Sequence, residues 1–209
     1  MEQSSSAYSH DRNYPMLEIV YLFVAPVVLI YLGVIPYEWR IIVLLCITLL
    51  MVGIIRYQHW TAVQVGMEQS FASRKLFAWG LFTILAALGI ILYAKKMGFE
   101  HINLFHWQES WRLILFFIPL SVLQEVAYRT FLTERLRHFS FSFWYRIFLN
   151  AALFTLLHII YPYAAITLPI AFVGGILFAW LYERYPSLLL ACIVHCVVNF
   201  VAVYFRLFS

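Results

Sequence analysis

The run LFAWGLFTILAALGIILYA, residues 76–94, contains no charged residue and no Asn, Gln or His. A helix that crosses a bilayer needs roughly 20 consecutive apolar residues. Lipid offers no water to an unpaired backbone group, so a run of this kind reads as a spanning α-helix. Arg74 and Lys75 bound it on one side, Lys95 and Lys96 on the other. Working outward, similar runs broken by charges, Pro and Gly predict seven helices, at about 17–35, 40–56, 76–94, 111–133, 143–161, 163–182 and 187–207. The expected fold is all-α, a polytopic transmembrane helical bundle of about seven spans, with six to eight allowed by the length.

Composition agrees. Of 209 residues, 64% are hydrophobic and only 11% charged, whereas soluble domains carry about 45–50% apolar and about 25% charged residues. An ordinary soluble domain is excluded, and a single integral membrane domain over 1–209 leaves any function to sit among the helices. The formal charge of +4 is spread over loops and helix ends, so it reads as a topology signal and not as a nucleic-acid footprint. Cys46, Cys192 and Cys196 fall inside apolar runs and imply neither a disulfide framework nor a CxxC site. Residues 1–14 are polar, without the apolar stretch of a signal peptide, and are expected to be a disordered tail.

Three details of organisation follow. Lys95 to Ser110 mixes Phe99, Ile102, Leu104, Phe105 and Trp107 with charged and His residues, the pattern of an interfacial amphipathic helix. The link Tyr161-Pro162-Tyr163 is so short that the helices on either side must be antiparallel neighbours. A cytoplasmic N-terminus would put Arg12, Arg56, Arg74, Lys75, Arg135, Arg137, Arg146 and Arg184 inside, against Arg40, Lys95, Lys96, Arg112 and Arg206 outside, which favours that orientation.

An ionisable side chain at a helix centre costs on the order of 2.5–3.5 kcal/mol on insertion scales, so each one retained there needs a partner or a task. The set here is short: Glu18, Gln124, Glu125, Arg129, Asn150, His158, His195 and Asn199. Glu18 and Asn150 lie near expected helix ends and read as structural. Glu125 and Arg129 are four apart, the spacing of an ion pair on one helix face, and His195 and Asn199 repeat that spacing. Each pair alone is compatible with a neutralised or hydrogen-bonded helix contact. Together, carboxylate, imidazole and carboxamide on three helices are the groups needed to polarise water and hold an oxyanion. Ser121 and Ser187 have no GxSxG-type setting, and Cys192 and Cys196 have no activating charge beyond His195.

Gln124-Glu125-Val126-Ala127-Tyr128-Arg129, Phe154-Thr155-Leu156-Leu157-His158 and His195-Cys196-Val197-Val198-Asn199 resemble, in order and spacing, the motifs EExxxR, FxxxH and HxxxN. These mark the CAAX protease and bacteriocin-processing (Abi) family of intramembrane glutamate endopeptidases. The resemblance covers a motif-bearing core over 111–207. It implies hydrolysis of a peptide bond in a membrane-associated protein or peptide by activated water, with no covalent intermediate and no cofactor. By the same resemblance the general base falls on Gln124, its partner on His158 and the oxyanion site on His195 and Asn199. Glu125, Arg129 and Phe154 take auxiliary or supporting places.

Position 124 departs from the motif, because a glutamine amide has no useful basicity at neutral pH and cannot take a proton from water. Three accounts stand: an inactivating replacement introduced to trap a substrate or stabilise the protein, a natural variant in which Glu125 is the base, and a non-catalytic relative. Adjacent helical positions point about 100° apart, and Glu125 shares its face with Arg129, which weighs against the second. From the expected boundaries, position 124 also lies roughly 10 Å nearer the inner side than His158 does. Two other functions compete. One is a zinc peptidase with Glu125, His158 and His195 as ligands; the other is a proton-coupled transporter or scaffold with a buried relay. Compact size and the absence of a transit peptide point to a prokaryotic plasma membrane; substrate and oligomeric state are not encoded in any feature above.

Overall fold

The computed structural model describes residues 13–67, 72–99, 117–139, 141–161, 163–205 and 207. Among them the chain forms seven helical segments. Asn13–Ile19, the π-helical Val20–Val24 and Ala25–Tyr31 run on as α1. Pro26 cannot donate a backbone hydrogen bond, and the helix widens just before it, with Ala25 N–H bonded to Val20 O. A 3₁₀ turn, Tyr37–Trp39, leads into α2, Arg40–Tyr57, and α3 is Ser73–Lys96. The fourth segment, α4, comprises helical residues 117–125, the π-helix Val126–Leu132 and Thr133–His138. Phe143–Leu156 with the 3₁₀ turn Leu157–Ile160 is α5, Ala164–Arg184 is α6 and Leu188–Tyr204 is α7.

The expectation of about seven spans needs correction. Among the described residues, four helices are long and apolar enough to cross a membrane: Tyr37–Tyr57, Ser73–Lys96, Phe143–Ile160 and Ala164–Arg184. Met16–Tyr31 and Leu188–Tyr204 are shorter apolar helices. At both, apolar residues go into turns: Gly33 takes φ +73° just after α1, so the helix stops at Tyr31 instead of 35, and α7 ends at Tyr204 instead of 207. The start of the expected 111–133 span, the amphipathic segment beyond Phe99 and residues 1–12 lie outside the described residues. Asn13 and Tyr14, assigned to the tail, already belong to α1.

The bundle is apolar outside as well as inside. Leu49, Leu50, Ile84 and Leu92 are exposed, as suits side chains solvated by lipid. Inside, helices approach closely where residues are small: a Cβ on Gly175 of α6 would stand 3.2 Å from Ala151 Cα of α5. Trp79 anchors α3 against the α6–α7 corner, donating from Nε1 to Tyr185 O at 3.1 Å and packing on Phe178. Pro169 loosens a turn of α6, and Tyr93 Oη donates to Ile166 O there at 2.8 Å.

One end of the bundle is tied by polar contacts. Gly66 O accepts from Leu188 N–H at 2.8 Å, and Lys75 Nζ donates to Pro186 O at 2.9 Å. Arg137 and Arg146 both reach Glu183, at 3.1 and 2.9 Å. Arg135 meets Glu18 at 2.6 Å and lies over the Trp60 and Phe131 rings. Several basic residues that the sequence assigned to one side of a membrane therefore lie together, at the end where α1 begins.

Candidate active site

Glu125 is the last residue before the π-helix of α4, and Arg129 lies within it. Both side chains are buried, at 0% and 1% exposure. Burial of two charges is tolerable only if each is compensated, and the compensation here is specific. Glu125 Oε1 is 2.5 Å from His195 Nδ1 of α7, and Glu125 Oε2 faces Arg129 Nε at 3.4 Å. Arg129 Nη1 donates to Asn150 Oδ1 of α5. Asn150 in turn donates from Nδ2 to Tyr128 O at 2.8 Å and to Thr133 Oγ1 at 3.2 Å. The guanidinium also sits 5.5 and 5.3 Å from the Phe154 and Phe178 ring centroids, where the ring faces add to its stabilisation.

His158 Nδ1 lies 2.9 Å from Phe154 O. A carbonyl only accepts, so Nδ1 carries the proton and Nε2 is the basic nitrogen of the neutral ring. Phe154 packs between the two imidazoles, its centroid 4.9 Å from that of His158 and 5.9 Å from that of His195. Asn199, one turn beyond His195, donates from Nδ2 to Ser121 Oγ at 2.9 Å, and Ser121 Oγ donates to Phe117 O.

These groups share one space. A cavity of about 830 Å³ runs between α3, α6 and α7 and is lined by Glu125, Arg129, Phe154, His158, His195 and Asn199. The remainder of its wall is mostly apolar, including Phe82, Ile90, Ile170, Val173, Leu177 and Phe178, with Arg74 at one end. Gln124 is buried, at 4% exposure, and is not among the described residues that line the cavity. Six of the seven site residues singled out in the sequence thus meet one cavity, and Gln124 is the exception.

The expected depth mismatch does not occur. With α4 reaching His138 and α5 starting at Phe143, position 124 and His158 differ in height by only about 2 Å; the expected end of the fourth helix at 133 was five residues short. Asn150, read as structural, holds Arg129 in place, and Ser121, weighed only as a nucleophile, positions Asn199. Phe178, which carried no signal in the sequence, closes the wall beside His195 at 5.5 Å.

Among the described residues, no three His, Cys, Asp or Glu side chains are grouped so as to hold a metal ion. The zinc set Glu125, His158 and His195 is therefore not assembled as ligands, since Glu125 bonds directly to His195.

No curated protein and no solved structure matches the chain. A family model does, over a little under half of its length: residues 105–201 match the model described as Type II CAAX prenyl endopeptidase Rce1-like. The matched span contains all three motif segments and every residue of the polar cluster, so this part of the chain is similar to a CAAX-protease-like domain.

Proposed function

We propose that the protein is an intramembrane endopeptidase that hydrolyses a peptide bond in a membrane-associated protein or peptide at the cavity beside α4, α5 and α7. The observation that carries this reading is the convergence of a carboxylate, two imidazoles and a carboxamide on one wall of a cavity otherwise lined by apolar side chains. Each of those groups would be costly to bury without a task, and the cavity volume lies in the range of ligand sites, about 300–1,000 Å³. The partial match to a CAAX-protease-like family points the same way.

In this reading a water molecule is deprotonated at the polar wall as it attacks the scissile carbonyl. Asn199 has one Nδ2 hydrogen on Ser121 and a second to offer the developing oxyanion. The apolar walls take the hydrophobic flanks of the substrate. Gln124 contributes no base, so the proton goes to a neighbouring group. The chain works as an integral multi-pass protein of a prokaryotic plasma membrane, with the Arg135–Arg146 end toward the cytoplasm.

The test is cleavage of membrane-tethered peptides, followed by mass spectrometry, using the protein as it stands, Gln124→Glu and His158→Ala. Cleavage that His158→Ala abolishes is expected. No product from the unaltered chain or from Gln124→Glu, on a panel that a related peptidase does cut, refutes the reading. Proteoliposome flux that survives His158→Ala and His195→Ala would instead establish a transporter.

A further inference from the structure

The face that α3 turns to the cavity is a single stripe, Arg74, Phe77, Ala78, Leu81, Leu85 and Gly89, spaced three or four residues apart. The first member is charged and the others are apolar. Among the described residues of the wall, Glu125 and Arg129 are also charged, but they balance each other. Arg74 is exposed, and no described ion pair or hydrogen bond holds its guanidinium. The charged neighbours at this end are engaged elsewhere. Lys75 Nζ donates to Pro186 O, Glu183 is bound by Arg137 and Arg146, and Glu134 is bound by Arg137 and Gln64. The helix itself gains nothing from a cation in its first turn, because that is the positive end of its dipole. Membrane topology asks for positive charge near this end, but not on the cavity face. Arg184, exposed and not part of the described wall, meets that demand equally well.

Packing between α3 and α7 gives the distance from this charge to the polar wall. Trp79 shares a packed cluster with Ala191 and Val194, and Ile90 and Ala94 share one with Ala202 and Phe205, so the two helices run parallel. At about 1.5 Å per residue, a point midway between His195 and Asn199 lies roughly 16 Å along the axis from Arg74. An extended chain rises about 3.3 Å per residue, so about five residues bridge the gap. Resting on the peptidase reading, we propose that Arg74 is a specificity-determining residue: it receives a substrate carboxylate about five residues from the scissile bond, with apolar residues between. The intervening wall, Phe77, Ala78, Leu81 and Phe82, suits such a segment. A guanidinium offers paired N–H donors that match a carboxylate, and an unbalanced charge at the end of a cavity with apolar walls draws in the opposite sign. The same chemistry is supplied by a free C-terminus or by an Asp or Glu side chain.

The experiment uses fluorescent membrane-tethered peptides and the full chain in zwitterionic nanodiscs, with Kd read by anisotropy and kcat and KM by mass spectrometry. One peptide ends in a free carboxylate five residues beyond the bond to be cut. Its counterparts are amidated there, amidated with Asp or Lys at that place, or shortened so that the carboxylate lies two residues from the bond. Arg74→Ala should raise Kd and KM for the five-residue acid about 5–20-fold, the scale of a partly exposed Arg–carboxylate pair. Its kcat should stay within about threefold, since the interaction is made equally before and during reaction. In the unaltered chain the amidated peptide should bind weaker by the same factor, and Arg74→Ala should not weaken it further. The two-residue acid should show no dependence on Arg74. Arg74→Glu should prefer the Lys peptide, and Arg184→Ala should change nothing beyond about twofold. Tight binding of the Asp peptide assigns a side-chain carboxylate as sufficient; tight binding of the free acid alone assigns the C-terminus; both support the proposal. Equal affinity of the unaltered chain for acid and amide would overturn it without recourse to any variant. So would an Arg74→Ala effect seen only in nanodiscs of anionic lipid and equal for both peptides, which would make Arg74 a lipid contact. Cleavage without carboxylate preference would refute this proposal and leave the peptidase reading standing. Carboxylate-dependent binding through Arg74, with no cleavage by the unaltered chain or by Gln124→Glu, would do the reverse.

Discussion

Asn150 makes the most demanding test of how the buried charges are held. Replacing it with Ala removes the acceptor for Arg129 Nη1 and the donor to Tyr128 O and Thr133 Oγ1. Asn150 is 2% and Arg129 1% exposed, so water cannot substitute at either. Hydrogen bonds to charged groups contribute about 1.5–3 kcal/mol. Neutral bonds between membrane helices average about 0.6 kcal/mol, because the unfolded chain in a membrane also finds partners. Tyr128 O keeps one donor, Thr133 Oγ1 at 3.1 Å, which limits the loss there. One charged and two neutral bonds therefore give about 3 kcal/mol for Asn150→Ala, with the Arg129 bond the largest share. For a chain of this length that corresponds to a fall in Tm of about 6–12 °C, read by thermal unfolding in detergent or nanodiscs. A double-mutant cycle with Arg129→Leu should show a coupling of about 1.5–3 kcal/mol. A loss below about 1 kcal/mol, or strictly additive effects, would mean that Asn150 does not hold the guanidinium and that the burial of Arg129 has another cause.

Two further outcomes concern the end of the bundle. Gly66 takes φ +69°, and a Cβ there would lie 2.2 Å from Tyr182 Oη, whereas Gly33 takes φ +73° with nothing within 4 Å. Gly33→Ala should cost about 1–2 kcal/mol for the left-handed backbone alone; Gly66→Ala should cost clearly more, and equal losses in thermal unfolding would refute the contact. Glu18→Ala should destabilise by about 1–2 kcal/mol, less than the 3–5 kcal/mol of a fully buried pair, because the Glu18 side chain is 25% exposed. Unchanged stability in Glu18→Ala would show that the Trp60 and Phe131 rings hold Arg135 unaided.

What could be read from the sequence was whatever depends on neighbours along the chain. Residues 76–94 had to be helical in lipid because nothing within them could be solvated otherwise, and the observed helix Ser73–Lys96 adds only its charged ends. The four-residue spacings placed Glu125 with Arg129 and His195 with Asn199 on shared faces, and these pairs do face the same cavity. Helix ends were less legible. An apolar run records which residues lipid can accept, not where a glycine at positive φ or a wider turn will stop the helix. Hence α1 ends at Tyr31, and among the described residues four of the expected seven spans are clear.

The part of the site that stayed hidden was the rotation of α4 about its own axis. Gln124 and Glu125 are one position apart, so which of them meets the cavity depends on the helix phase, and periodicity within one helix has no reference outside it. The phase here is set by partners on other helices. Asn150 of α5 holds Arg129, His195 of α7 holds Glu125, and a π-helix from Val126 to Leu132 absorbs the extra residue that lets both be met. A π-turn has no compositional signature; it exists because the tertiary contacts offset the poorer helical geometry. The same reasoning explains why the resemblance pointed to position 124 while the cavity is lined by Glu125. The motif names residue types in order along the chain, but which carboxylate meets an imidazole is decided by packing between helices, and here the packing brings Glu125 to His195.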